Sequence, residues 1–85
     1  MYLHIGNGCM LRQRDISAIY DAGLFQGGDE TAQQNCRTLA PLGLRAATLA
    51  ANARIRSVIV TDTQVWYSEI SSLTLQRRWQ QPWRD

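Results

Sequence analysis

Ser57-Val58-Ile59-Val60-Thr61 decides the fold class. Four of these five residues are β-branched, and such side chains pack well on a pleated surface but lose rotamer freedom in a helix. Asp62-Thr63 turns the chain, and Gln64-Val65-Trp66-Tyr67-Ser68 returns as the hairpin partner. Trp66 and Tyr67 then point to opposite faces of that strand, so one of them enters the core. After the hairpin, Ser71 is placed to cap a helix, with Ile70 and Leu75 at the positions of a hydrophobic staple. Trp79 follows Leu75 by four residues and shares its packed face. Arg77 and Arg78 fall toward the end of this helix, where the dipole favours cations, and Pro82 stops it.

Upstream of the hairpin, Arg45 to Leu49 reads as a further short strand weakened by its alanines. Before it, Asp29 is an N-cap with Glu30 in the first turn, and Ala32, Cys36, Leu39 and Ala40 recur at helical steps. Pro41 and Gly43 end that helix. Asp21 to Gly28 is a loop with three glycines. At the N-terminus, Tyr2 to Ile5 alternates like a half-buried strand, Gly6-Asn7-Gly8 supplies the positive φ angles of a tight turn, and Cys9 to Arg12 returns. Gln13-Arg14-Asp15 interrupts the pattern, and Ile16 to Tyr20 resumes it as a third strand. This order predicts an α+β domain: a small, mainly antiparallel sheet of five or six strands with two short helices. Residues 1–80 form the one domain expected, and 81–85 a short C-terminal tail.

At 85 residues there is room for one core. A chain of this size buries only about 60% of its unfolded surface, and oligomerisation is a common remedy. The net charge is +2, and all nine basic residues are Arg, with no Lys. Arginine offers a rigid fork of donors suited to phosphate, but GC-rich coding gives the same bias. Cys9 and Cys36 have neither metal nor redox spacing and read as reduced core residues. The first residues lack a signal-peptide core, and no stretch has the apolar length to span a bilayer, so a cytoplasmic protein without membrane contact is expected.

Catalysis has little material here. His4 is the lone histidine and reads as structural, no serine sits in a strained strand-to-helix elbow, and no pair of acids is singled out. Gly6-Asn7-Gly8 lacks the third glycine leading into a helix that a dinucleotide loop requires. The expectation is a protein that is not an enzyme and uses no cofactor or metal. The more informative constellation is arginine at strand ends. Arg12 and Arg14 flank the turn after the second strand, and Arg54 and Arg56 lead into the Val-Ile strand two residues apart, on one face. Such forks grip phosphate oxygens; the alternative is a solvated rim, with Asp15 and Asp62 as partners. Trp79 and Trp83 are candidates for a partner or oligomer contact.

Met1-Tyr2-Leu3-His4-Ile5-Gly6, Arg14-Asp15-Ile16, Ile19-Tyr20-Asp21, Ser57 to Thr61, Tyr67-Ser68 and Ile70 to Leu75 together resemble the Rem family of bacterial extracellular-matrix regulatory proteins. These blocks span roughly two thirds of the chain in the family's order. Between Ala22 and Ala53 the match is in outline only. The N-terminal start and the Ser-rich helix cap are more similar to the RemB branch than to the RemA branch. The resemblance implies a compact α+β fold, no catalysis and ring-shaped homo-oligomers. The RemA branch implies binding of double-stranded DNA and transcriptional activation of biofilm-matrix genes, and the RemB branch is less securely tied to DNA contact. By the same resemblance, the functional arginines match Arg14, Arg54 and Arg56. Ala53 stands where RemA-like proteins can carry another Arg, which halves the local charge. The alternative function is an oligomeric protein-interaction module without DNA contact.

Overall fold

The computed structural model describes residues 1–80. The decisive segment is β4 (Ser57–Thr61), the middle strand of a three-stranded sheet. It lies antiparallel between β3 (Ile16–Asp21) and β5 (Val65–Ser68), and all five of its residues are buried. A strand covered on both faces reads as a continuous apolar run instead of an alternating one, and β4 does so.

Each face of the sheet carries its own core. On one side, Ile19 and Ile59 meet Leu3, Ile5 and Leu75, with Trp66 packed against them. These partners come from the hairpin of β1 (Tyr2–Gly6) and β2 (Cys9–Arg12) and from helix α3 (Ser72–Trp79). On the other side, Val58 meets Phe25, Leu44, Leu49 and Ile55, with Tyr67 and Cys36 against them. The cover there is a 3-10 turn (Ala22–Phe25), α1 (Glu30–Leu39) and α2 (Ala46–Ala51). Trp66 and Tyr67 thus pack on opposite faces, and both are half-buried. A register irregularity between Ile16 and Ala18 lets Ile16 join Ile19 in one core.

The helix caps and turns lie where the sequence puts them. Asp29 accepts from the Ala32 N–H at 2.8 Å, and Ser71 from the Thr74 N–H at 3.2 Å. Gly6, Asn7 and Gly8 all have positive φ, and Gly43 ends the Pro41 turn with φ 100°.

Three expectations need correction. The strands do not form one sheet: β1 and β2 pair only with each other, and β3 pairs with β4. Sequential strands usually pair, but the Gln13–Asp15 turn carries the chain across to the edge that β4 leaves open. The segment expected as a strand from Arg45 to Leu49 contains the start of α2. Ala is the best helix former, and only Leu49 of this helix is buried, so one contact fixes its face. The described helices therefore number three α-helices, where two were expected.

Two buried hydroxyls tie the layers together. The Ser57 hydroxyl donates to the Ile70 carbonyl at 2.8 Å. The Ser68 hydroxyl donates to the Ile5 carbonyl at 2.6 Å and accepts from the Ile70 N–H at 3.0 Å. Ser68 thereby links β1, β5 and the approach to α3, and no buried side-chain polar atom among the described residues lacks a partner. Ile59→Ala is expected to destabilise the fold by about 2–5 kcal/mol. Leu73→Ala, at a residue 57% exposed, should change stability by less than about 0.5 kcal/mol. Urea denaturation compares the two. Ser68→Ala leaves two backbone groups without their partner and should cost about 1–3 kcal/mol in the same measurement.

Candidate nucleic-acid interface

The four arginines singled out in the sequence are all exposed, and they fall at two ends of the three-stranded sheet. Arg12 closes β2, and Arg14 lies in the 3-10 turn Gln13–Asp15 that leads into β3. Arg54 and Arg56 precede the first residue of β4. Because Ile16 pairs with Thr61 and Asp21 with Ser57, the start of β3 and the start of β4 are opposite ends of the sheet. At a rise of about 3.4 Å per residue, the length of β3 alone separates them by roughly 17 Å. The structure brings together Arg12 with Arg14, and Arg54 with Arg56, but it does not bring the two pairs together within one protomer.

Local geometry explains each pair. Arg56 is held in the sheet through its backbone, its N–H donating to the Ser68 carbonyl at 2.8 Å and its carbonyl accepting from the Ala22 N–H at 2.9 Å. Ile55 between the two arginines is buried while both neighbours are exposed, the alternation that puts Arg54 and Arg56 on one face. The Arg54 N–H donates to the Asn52 side-chain oxygen at 3.0 Å, which fixes the turn before it. At the other end, the Gln13 N–H donates to the Met1 carbonyl at 3.0 Å and anchors the turn that carries Arg14. Met1, Tyr2, Arg12, Gln13 and Arg14 line a shallow cleft of about 460 Å³.

Charge pairing within the chain is sparse. Arg12 Nε lies 4.0 Å from an Asp15 carboxylate oxygen, and both side chains are more than half exposed, so water screens the contact. Arg14, Arg54 and Arg56 have no carboxylate within 4.0 Å among the described residues. The Asp62 carboxylate accepts from the Ser17 hydroxyl at 3.3 Å and pairs with no arginine among the described residues. Guanidinium groups exposed at fixed strand ends are available to an external anion.

Other readings find less support in the geometry. His4 is exposed on the outer face of β1, with Met10 as its register partner. Cys9 and Cys36 are free and half-buried, and the Cys36 thiol donates to the Phe25 carbonyl at 3.4 Å. Trp79 is half-buried against the first core, and its indole N–H donates to the Gln13 carbonyl at 3.1 Å. Its chief engagement is thus internal. Trp83 and the tail from 81 to 85 lie outside the described residues.

Two further arginines sit at the helix end where the sequence placed them. Arg77 and Arg78 occupy the last turn of α3, next to the tryptophan that binds Gln13. In the sequence they read as complements to a helix dipole. The one signal pointing further was Trp79 itself, a large side chain fixing the helix end to some other part of the fold.

No helix among the described residues is long and apolar enough to cross a membrane. No family model matches the chain, and no solved structure matches it. Extracellular matrix regulatory protein B of Bacillus subtilis (strain 168) is 29% identical over 80 residues, covering 92% of this chain and 89% of that protein. Over that span the chain resembles the Rem family of bacterial extracellular-matrix regulatory proteins, on its RemB-like side.

Proposed function

We propose that this chain is a cytoplasmic, non-catalytic regulator of extracellular-matrix genes that assembles into a ring and binds the phosphate backbone of double-stranded DNA. The observation that carries the reading is the set of exposed arginines at fixed strand ends, three of them without a carboxylate within 4.0 Å among the described residues. The relative's name, a matrix regulatory protein, supplies the biological setting.

Physics favours repetition. One protomer with a net charge of +2 is a weak ligand for a polyanion. A closed assembly presents the same arginines once per subunit, and each neutralised phosphate releases counterions. Affinity then accumulates with subunit number and falls steeply with salt. Backbone contacts carry little base information, so preference among sequences comes from DNA shape and bending. Arg54 and Arg56 contribute one contact surface per subunit, Arg12 and Arg14 the other.

Binding to a short DNA duplex, followed by fluorescence anisotropy across a salt series, tests this. The slope of log K against log salt should be about −0.9 per phosphate contact and so reach several units. Arg14→Ala with Arg54→Ala should flatten it by about 2 per subunit engaged and weaken binding at every salt concentration. Salt-independent binding, or no change in the double variant, would transfer the function to a protein partner. Mass measurement in solution checks the assembly separately: a homogeneous oligomer is expected, and a monodisperse monomer overturns the ring.

A further inference from the structure

We infer that Arg77 and Arg78 are phosphate-contacting residues, forming with Arg12 and Arg14 one basic surface at the Gln13 end of the molecule. This rests on the reading of the chain as a DNA-backbone binder and names a part of that surface the strand-end arginines leave out.

The course of α3 makes the case. Its start is fixed near the first residue of β4, where the Ser57 hydroxyl donates to the Ile70 carbonyl. Halfway along, the Gln76 side-chain amide donates to the Ile19 carbonyl of β3 at 2.9 Å. At its end, the Trp79 indole N–H reaches the Gln13 carbonyl, just before β3 begins. The helix therefore runs antiparallel to β3 and delivers its last turn to the turn that carries Arg14. Arg77 and Arg78 are exposed there, as are Arg12 and Arg14. The last turn of α3, with Arg77 and Arg78, is thus carried to the end of the fold that holds Arg12 and Arg14. Gln13 is the joint: its N–H binds Met1, and its carbonyl binds Trp79.

The acids at this end are Asp15, 4.0 Å from Arg12 Nε, and Asp62. Asp15 and Asp62 line a separate hollow with Leu11, Thr61, Thr63 and Trp66, whereas no acid lines the cleft of Arg12 and Arg14. Four arginines thus face two aspartates at this end. At the opposite end, Arg54 and Arg56 share the strand termini with Asp21 and Glu69, so charge there is balanced. The helix dipole accounts for a cation in the last turn of α3. It does not account for the delivery of that turn to a second arginine pair.

The test uses the full chain and a short random-sequence DNA duplex. Arg77→Ala with Arg78→Ala is compared with Arg37→Ala with Arg45→Ala, a pair that removes the same charge from the helical side near α1 and α2. The first variant should bind roughly tenfold more weakly and lose about 2 from the salt slope for each subunit in contact. The control pair should change both far less. Arg77→Lys with Arg78→Lys, which keeps the charge, should recover most of the slope. Circular dichroism and solution mass confirm that all variants keep the fold and assembly of the parent. Equal behaviour of the Arg77/Arg78 variant and its charge-matched control overturns the inference while leaving DNA binding in place. If the parent chain fails to bind the duplex at all, the functional reading fails and this surface with it.

Discussion

Burial of β4 on both faces is the constraint from which the rest of this structure follows. With Val58 on one side and Ile59 on the other both fully buried, an 85-residue chain must build two covers for a single strand. It spends its first hairpin and its last helix on one face, and the whole segment between β3 and β4 on the other. Three layers in so short a chain leave each cover thin. Helix α2 is held to the second core by Leu49 as its one buried residue, and the outer face of the hairpin leaves Tyr2 and Met10 in solvent. A fold built this way presents its strand ends, more than any cavity, to the outside.

The hydroxyls of Ser57 and Ser68 convert this stacking into a fixed geometry. Hydrophobic contact alone is non-directional and lets a hairpin slide over a sheet. A buried donor that must find its acceptor does not, because leaving it unpaired costs more than the bond itself contributes. Ser68 binds Ile5 and Ile70 at once, so β1 and the approach to α3 take one register relative to β5. Trp79 does the same at the far end through Gln13. Helix α3 is pinned at both ends, and the arginines of its last turn have a determined place.

Local signals were legible in the sequence, and long-range ones were not. The β-branched run of β4, the Gly6-Asn7-Gly8 turn and the caps Asp29 and Ser71 are each set by residues within a few positions of one another, and each lies where the pattern puts it. The pairing of β3 with β4 joins residues some forty positions apart, such as Ile19 with Ile59, and nothing local distinguishes it from pairing with β2. Alanine-rich Arg45–Leu49 lacked a period of either kind, and backbone propensity decided it once Leu49 found the core. Among the arginines, the spacing of Arg54 and Arg56 around Ile55 was readable because a strand alternates. The position of Arg77 and Arg78 was not, since it depends on which way α3 crosses the sheet.

That crossing also bears on how the proposed DNA contact is arranged. A duplex is about 20 Å across with phosphates on its rim, so a protein reading only the backbone gains by offering rigid charges at more than one height. Here the sheet itself is the spacer: β4 separates two arginine-bearing ends, and its burial makes the separation stiff. Flexible side chains on a loop would lose entropy on meeting each phosphate. Guanidinium groups mounted at strand and helix ends have already had their backbones ordered by folding, and Arg loses less freedom per hydrogen bond than Lys. The exclusive use of arginine is consistent with that economy. Stability and the proposed binding surface thus draw on the same feature, a central strand that cannot shift without exposing a core.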